Sequence, residues 1–466
     1  MWNLRQYGNK VALYSKEYGE ISYEEMAGIS EEISGNITGR ELVCVITENS
    51  VECLCGYIGF INNRIVPLMI DGKTNAEWIH NLIDQYKPNY IWCNKEMEEA
   101  FKAYSKIYTM ENYVLLKRKV LVEIDLYKDL ALLLTTSGST GSSKFVRQSY
   151  KNIKANAESI IEYLKITASE VSITTLPMHY TYGLSIIHTH LMVGAKLVLT
   201  QESLVSPEFW KLYKECNVTS FGGVPYTYEI LKKIKFFQED NSSLNTITQA
   251  GGHLNIELQR EIAEAAQKQG YKFVVMYGQT EATARMSYLP SEKCLIKLGS
   301  IGIPIPGGKF ELVDADGSVI EETDKEGELV YYGDNVTLGY AACREDLALG
   351  DERKGRLLTG DMAKRDADGF YYITGRKERF LKIYSNRVNL DECERILERK
   401  FGFGVACTGE DDALHVFIDN SDEQEKVKLF IKEKFNINTK SIFIHYIKEI
   451  PKNTSGKKLY KELIWK

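Results

Sequence analysis

133-LLTTSGSTGSSKFVRQSY-150 sets a polar, glycine-containing loop between two β-favouring runs. The apolar run Leu130 to Leu134 reads as a strand, and Phe145 to Tyr150 as a second. Between them lie Thr135, Thr136, Ser137, Gly138, Ser139, Thr140, Gly141, Ser142, Ser143 and Lys144. Glycines tolerate positive φ, so backbone N–H groups there can converge on an anion. The hydroxyls add donors and the lysine adds charge. Such a loop suits a polyphosphate. It is not the standard P-loop, which needs Gly, four residues, then Gly-Lys-Ser/Thr, and a helix next. Here Ser143-Lys144-Phe145 follows Gly141 and leads into a strand. Composition alone also allows a flexible surface linker.

Upstream, Val11 to Tyr14 and Glu20 to Tyr23 read as a β-hairpin with Gly19 between them, followed by a helix to about Ile33. Then 42-LVCVIT-47, 51-VECLCGYIGFINNR-64, 65-IVPLMI-70, 76-AEWIHNLIDQYKP-88 and 89-NYIWCN-94 alternate strand and helix. That alternation implies a parallel sheet with crossover helices. Downstream, 151-KNIKANAESIIEYL-164 is helical, and 207–240 reads as two helices around a strand at 217-NVTSFGGVP-225. A strand at 245-NTITQAGGHL-254 ends in Gly251-Gly252, and another in 273-FVVMYGQTEAT-283 runs into Tyr277-Gly278-Gln279-Thr280-Glu281. From about 299 to 374 the chain is rich in strands and turns. His188 and His190 do not predict a shared metal, because residues two apart on a helix point away from each other.

The 466 residues are enough for two or three domains. A net charge of −6 with interleaved acids and bases argues against a nucleic-acid surface. Nine scattered cysteines without a C-x-x-C pair read as free buried thiols in a reducing cytosol. No apolar run approaches the roughly 20 residues of a membrane span, and Met1-Trp2-Asn3-Leu4-Arg5-Gln6 lacks a signal-peptide core. A soluble, cytoplasmic protein is expected.

The loop resembles the phosphate-binding signature of the adenylate-forming (AMP-binding) superfamily, which includes acyl-CoA synthetases, peptide-synthetase adenylation domains and luciferases. The family pattern is roughly T-S/T-G-[ST]-[ST]-G-x-P-K-G, with Ser143 here for the proline and Phe145 for the last glycine. Tyr277-Gly278-Gln279-Thr280-Glu281 resembles the family's Y-G-x-T-E motif, and Thr359-Gly360-Asp361 its ribose-binding turn. Gly327-Glu328-Leu329, Gly333 and Gly339-Tyr340 are similar to its β-subdomain motif. The run 380-FLKIYSNRVNLDECERIL-397 resembles I-K-x-x-G-x-R-[VI]-x-x-x-E-I-E, with Ser385 for the glycine; 450-IPKNTSGKKLYKEL-463 resembles P-K-T-x-S-G-K-x-x-R.

The resemblance implies an α/β fold. Residues 1–375 would form a large N-terminal domain of stacked βαβ subdomains plus a β-barrel-like subdomain. Residues 376–378 would be a hinge at Glu378, and 379–466 a small mobile α+β lid. It also implies ATP-dependent activation of a carboxylic acid to an acyl-adenylate, then transfer to the thiol of coenzyme A or of a carrier protein's phosphopantetheine. Transfer to an amine or hydroxyl, or a nucleotide-binding regulator without turnover, are the alternatives. By resemblance ATP or AMP would be held by Thr136, Ser137, Gly138, Ser139, Thr140, Gly141, Lys144, Gly251, Gly252, Tyr277, Gly278, Gln279, Asp361, Arg376 and Arg387. Thr280, Glu281 and Lys457 would be catalytic, with Glu281 on Mg²⁺. His179, Tyr180 and Tyr182, in a segment similar to P-x-x-H-x-x-G-L, would shape the acyl pocket. Amino-acid-activating relatives place an aspartate in this segment, and no carboxylate occurs between Glu170 and Glu202. A buried ammonium without a partner would cost several kcal/mol, so an α-amino acid is not the expected substrate.

Overall fold

The computed structural model describes residues 1–135, 144–383, 386–435, 437–452 and 456–465, with the main chain alone at 386–387. The expected phosphate-loop residues Thr136, Ser137, Gly138, Ser139, Thr140 and Gly141, and the substituted Ser385, lie outside the described residues, as does the Arg387 side chain. Contacts divide the chain into two compact units: Met1–Lys309 with Tyr332–Leu357, and Phe310–Tyr331 with Leu358–Lys466.

Among the described residues the first unit holds two large sheets. In one, strands Lys272–Tyr277, Thr246–Gln249, Ser220–Gly223, Val171–Ile173, Lys196–Val198 and Val11–Ser15 lie side by side and parallel. Gly19–Ser22 closes one edge as the expected hairpin, and Ser287–Leu289 with Ile303–Pro304 the other. In the second sheet Leu130–Thr135, Val66–Asp71, Leu42–Thr47 and Tyr90–Asn94 are parallel. Phe145–Ser149 and Tyr113–Arg118 join it antiparallel. The parallel order follows from the strand–helix alternation, because a crossover helix returns the chain in the same direction.

Helix Val51–Asn62 is apolar on nearly every side, Glu52 apart, and buried throughout Val51–Ile61, as such a helix must be. Helix Thr181–Val193 sends Leu184, Ile187 and Leu191 into the same core as Leu54 and Ile58. Each such side chain contributes roughly 1.5–3 kcal/mol by leaving water. Helix Tyr150–Leu164 starts at a capping box, where Ser149 Oγ accepts the Asn152 amide and Asn152 answers the Ser149 amide. In open parallel sheets functional loops follow the carboxyl ends of strands. Here those loops are the segment after Ile173, Val224-Pro225, Ala250–Gly252 and Gly278–Thr283.

The second unit contains, but for the strand ends Lys309, Tyr332, Arg356 and Leu357, a four-stranded sheet in the order Lys309–Val313, Gly327–Tyr332, Arg356–Arg365 and Tyr371–Arg376. A hairpin, Phe380–Ile383 with Asn386–Asn389, leads into helix Leu390–Phe401. Strands Val405–Glu410, Ala413–Ile418 and Ile442–Tyr446 and helix Gln424–Phe435 complete an α+β core around Leu397, Val416 and Ile431. Strand Tyr371–Arg376 packs on the helix start. Asn389 Nδ2 donates to the Thr374 carbonyl at 2.9 Å, and Arg395 Nη2 to the same oxygen at 2.6 Å.

Candidate functional site

In the first unit, Lys272–Tyr277 ends in Gly278 because a Cβ there would overlap the Ala284 carbonyl. The chain then makes a single turn of helix, Thr280–Ala282, and reverses through Thr283. Thr283 has φ 65° and ψ −58°, a strained γ-turn for a β-branched residue. A clamp from the 335–337 segment holds it. Thr337 N and Oγ1 donate to the Glu281 carbonyl at 3.0 and 2.9 Å, and Asn335 Nδ2 to the Ala282 carbonyl at 2.9 Å. Thr283 Oγ1 donates to the Asn335 carbonyl at 2.7 Å. Arg353 Nη1 adds a bond to the Glu281 carbonyl at 3.2 Å.

The clamp leaves the Glu281 side chain half-buried, with Oε1 accepting the Tyr340 hydroxyl at 2.6 Å. Burial and this carboxylate push the Tyr340 phenol up, so it stays a donor. Magnesium bound between phosphates takes one or two carboxylates and keeps waters. The Glu281 carboxylate at this turn is an oxygen donor of the type that ion takes. Thr280 is buried beside it, and Gln279 Nε2 donates to the Tyr277 hydroxyl at 3.3 Å.

The Gly251-Gly252 corner follows strand Thr246–Gln249 and is tied back by Gln249 Nε2 to the Gly252 carbonyl at 3.0 Å. Gly251 has φ 85°, and a Cβ there would lie 2.5 Å from the Tyr180 hydroxyl. Glycine thus lets Tyr180 close on the main chain. Tyr180 stands edge-on to Tyr182 at 6.3 Å, and Tyr182 donates to the Thr248 carbonyl at 2.8 Å. His179 points elsewhere. Its Nδ1 lies 3.2 Å from Thr47 Oγ1 and its Nε2 3.7 Å from Asp71 Oδ2. Burial lowers its pKa, against the pull of Asp71. His188 meets the Tyr57 hydroxyl and His190 the Ile186 carbonyl, each at 2.8 Å, so the two share no site. Lys144 is exposed at the start of strand Phe145–Ser149.

In the second unit, Asp361 and Arg376 are cross-strand partners, with Oδ1 and Nε 3.5 Å apart. Asp361 is buried, and its amide donates to Thr359 Oγ1 at 3.1 Å. Glu378 is exposed in the turn after Arg376. Arg387 stands opposite Lys382 in the hairpin register. Lys457 is half-buried between Gly456 and Lys458. Lys458 anchors that segment: its Nζ reaches Glu394 at 2.7 Å, Glu398 at 2.8 Å and the Val405 carbonyl at 2.6 Å. Glu394 also holds Arg379 at 2.6 Å and the Tyr460 hydroxyl at 3.1 Å.

The clamp residues Asn335, Thr337 and Arg353, the strained Thr283, and the anchor pair Glu394–Lys458 are absent from the sequence expectations, and Tyr340 enters them only as a motif residue without a role. The G-Y and E-I-E motifs carried the signals for Tyr340 and Glu394.

A family model described as AMP-binding enzyme matches residues 1–341. The long-chain-fatty-acid–CoA ligase of Escherichia coli O157:H7 is 29% identical over 351 residues, 72% of this chain and 61% of the relative. The chain thus spans about three fifths of the first curated relatives it matches. The 2-succinylbenzoate–CoA ligase of Bacillus cytotoxicus is 26% identical over 98% of this chain and 95% of its own length. The O-succinylbenzoate coenzyme A synthetase of Bacillus subtilis, solved with ATP and a magnesium ion, has a TM-score of 0.77 at 20% identity. That match covers 99% of this chain and 98% of the other. At that identity the likeness is one of fold. With the matched model covering well over half its length, the chain belongs to the AMP-binding enzyme family.

Proposed function

We propose that this protein activates a carboxylic acid with ATP and passes the acyl group to a thiol, most simply that of coenzyme A. The observation that carries the reading is the clamped turn 280–283, which fixes one carboxylate, Glu281, at the carboxyl edge of a parallel sheet. Named relatives are acid–CoA ligases. A substrate carboxylate oxygen attacks the α-phosphorus of ATP, the bond to the pyrophosphate oxygen breaks, and an acyl-adenylate forms. Charge develops on phosphoryl oxygens, so positioning and electrostatics do most of the work. Thr136, Ser137, Gly138, Ser139, Thr140, Gly141 and Lys144 hold the leaving phosphates. Tyr277, Gly278 and Gln279, with Gly251-Gly252, hold adenine. Asp361 accepts the ribose hydroxyls beside Arg376, and Arg387 meets phosphate. Glu281 would hold Mg²⁺, which neutralises phosphate charge when bound.

Lys457 lies in the lid, residues 379–466, and bridges the carboxylate and the α-phosphate. Rotation at 376–378, about Glu378, withdraws it and opens the thiol's path. An α-amino acid has no partner for its ammonium, because the segment between Glu170 and Glu202 supplies no carboxylate. Nine unpaired cysteines fit a reducing, cytoplasmic setting, and among the described residues no helix is long and apolar enough to cross a membrane.

The test is pyrophosphate release with ATP and Mg²⁺ across a panel of acids, with and without coenzyme A. Acceleration by coenzyme A supports a free thioester product; arrest after one turnover supports a carrier protein's phosphopantetheine. Lys457→Ala should lower release by about 10²–10³-fold while ATP still binds. Unchanged release by that variant removes Lys457 from the mechanism.

A further inference from the structure

Arg285 follows the strained Thr283 turn and is 2% exposed. Its main chain is fixed, with the carbonyl accepting from Asn156 Nδ2 at 2.9 Å and Asn335 Nδ2 at 3.1 Å. Its guanidinium is poorly served. Nη1 has only the Tyr163 hydroxyl at 3.4 Å and the Met276 sulfur at 3.3 Å, and Nε has no partner. Among the described residues no carboxylate lies within 4.0 Å of it. A buried charge left like this is expensive unless a counter-charge arrives.

Arg285 lines a cavity of about 30 Å³ together with Ser172, His190, Ser220, Thr248 and Glu170. Ser172 Oγ is also without a partner. Glu170 is already engaged, by Thr219 Oγ1 and by Asn245 Nδ2 at 3.3 Å. One water needs roughly 10–15 Å³ of such space, so the cavity admits about two waters or one small polar group. Its position relates it to the acyl pocket. The guanidinium lies over the Tyr182 ring at 5.1 Å, and Tyr182 in turn meets Tyr180, which closes on Gly251. Thr248 precedes Gly251 by three residues on the strand path, which sets the cavity about 10 Å behind the corner. Leu176, Val224, Ala250 and Met276 pack with Tyr180 and Tyr182 in one apolar cluster.

We propose that the acid carries a second anionic group, which Arg285 binds in the cavity behind Tyr182; the substrate class is a dicarboxylic acid. The inference rests on the adenylation reading for the reaction and on Arg285 alone for the second carboxylate. One end of the acid meets ATP at the corner, the apolar middle passes Tyr182, and the far carboxylate takes the place of the missing counter-charge.

The experiment pairs glutarate, adipate, pimelate and suberate with pentanoate, hexanoate, heptanoate and octanoate. Pyrophosphate release is read as kcat/KM, and melting temperature is read with each acid in the absence of ATP. In the unmodified protein one dicarboxylate should exceed its monocarboxylate by about 10- to 100-fold, the worth of a hydrogen bond to a charged group. That acid alone should raise the melting temperature. Arg285→Met should abolish both effects and favour the monocarboxylate; Arg285→Lys, the variant closest in charge, should keep part of the preference. A dicarboxylate that raises the melting temperature only when Arg285 is present, with no release from any acid, leaves the site standing and removes adenylation. Release without a dicarboxylate preference, or a preference unchanged in both variants, overturns the site and leaves adenylation intact. No shift and no release overturns both.

Discussion

Arg147 and Arg285 belong to the same compact unit, and both have almost no surface, 0% and 2%. Arg147, on strand Phe145–Ser149, is fully engaged. Nε donates to the Tyr340 carbonyl at 3.0 Å, Nη1 to the carbonyls of Leu349 and Gly350, and Nη2 to Glu352. It staples the 338–352 segment to the sheet. Arg285 has one weak hydroxyl contact, one sulfur and an aromatic face. The same side chain thus serves two ends. Where the fold supplies every acceptor, the charge holds structure together; where it withholds them, the charge is kept for something that arrives.

The widest gap should appear in stability. Arg147→Met strips several part-buried carbonyls of their donor and leaves Glu352 unpaired. About 3 kcal/mol should be lost, most of it from the carbonyls, since Glu352 is half-exposed. Arg285→Met removes a charge without a counter-charge and should cost less than about 1 kcal/mol, or stabilise. Urea unfolding of the two variants at unchanged slope gives the comparison. Equal losses would mean that Arg285 is a structural staple as well.

A smaller effect is expected in the pH dependence. Burial, with Arg285 adding repulsion, holds His190 down to about 4 from its ordinary 6.5, although the Ile186 carbonyl favours its charged form. The unfolded chain therefore binds a proton between pH 6.5 and about 4 that the folded chain refuses. Stability is full above that window and falls as pH drops through it, by about 1.4 kcal/mol per pH unit. His188, held down to about 3 by burial, adds a parallel loss. His190→Gln should flatten the acid limb, and Arg285→Met should flatten it in part by removing the repulsion. Arg147→Met should leave its slope alone. Denaturant titrations from pH 7 downward distinguish the three.

Neither arginine's role could be read along the chain. Arg147 appears as a polar residue in a strand, and its acceptors lie at 338–352, about two hundred positions on. Arg285 meets Tyr163 and Tyr182, more than a hundred positions earlier. The legible parts were local. Gly251-Gly252 and Tyr277–Glu281 carry their turn chemistry in consecutive residues, and the βαβ alternation carries the sheet order. The clamp Asn335–Thr337 was illegible because it acts through carbonyls of a turn some fifty residues away. Helix Ile256–Gln269 did carry its signal, an Asn255 cap with Leu258, Ile262 and Ala266 on one face, yet it is missing from the expected elements. The hairpin Tyr104–Met110 with Tyr113–Arg118 hides its period behind a bulge between Lys106 and Tyr108.

The smallest expected effect concerns the main chain that carries Arg285. Arg147 sits in regular strand, whereas Arg285 follows Thr283 at φ 65°. Two substitutions separate the strain there from the side-chain bond. Thr283→Ala loses the 2.7 Å bond to the Asn335 carbonyl and keeps a Cβ in the strained turn. Thr283→Gly loses the same bond and relieves the turn. At an ordinary position alanine is the more stable of the pair, because glycine gives the unfolded chain more freedom. Here the order should reverse, with glycine ahead by about 1 kcal/mol in urea unfolding. The glycine variant should nonetheless be the slower enzyme, because a relaxed turn no longer fixes Glu281 and Arg285 together. Alanine the more stable would mean that the turn relaxes at little cost. The clamp would then hold Arg285 without storing strain, and the two arginines would differ in their partners alone.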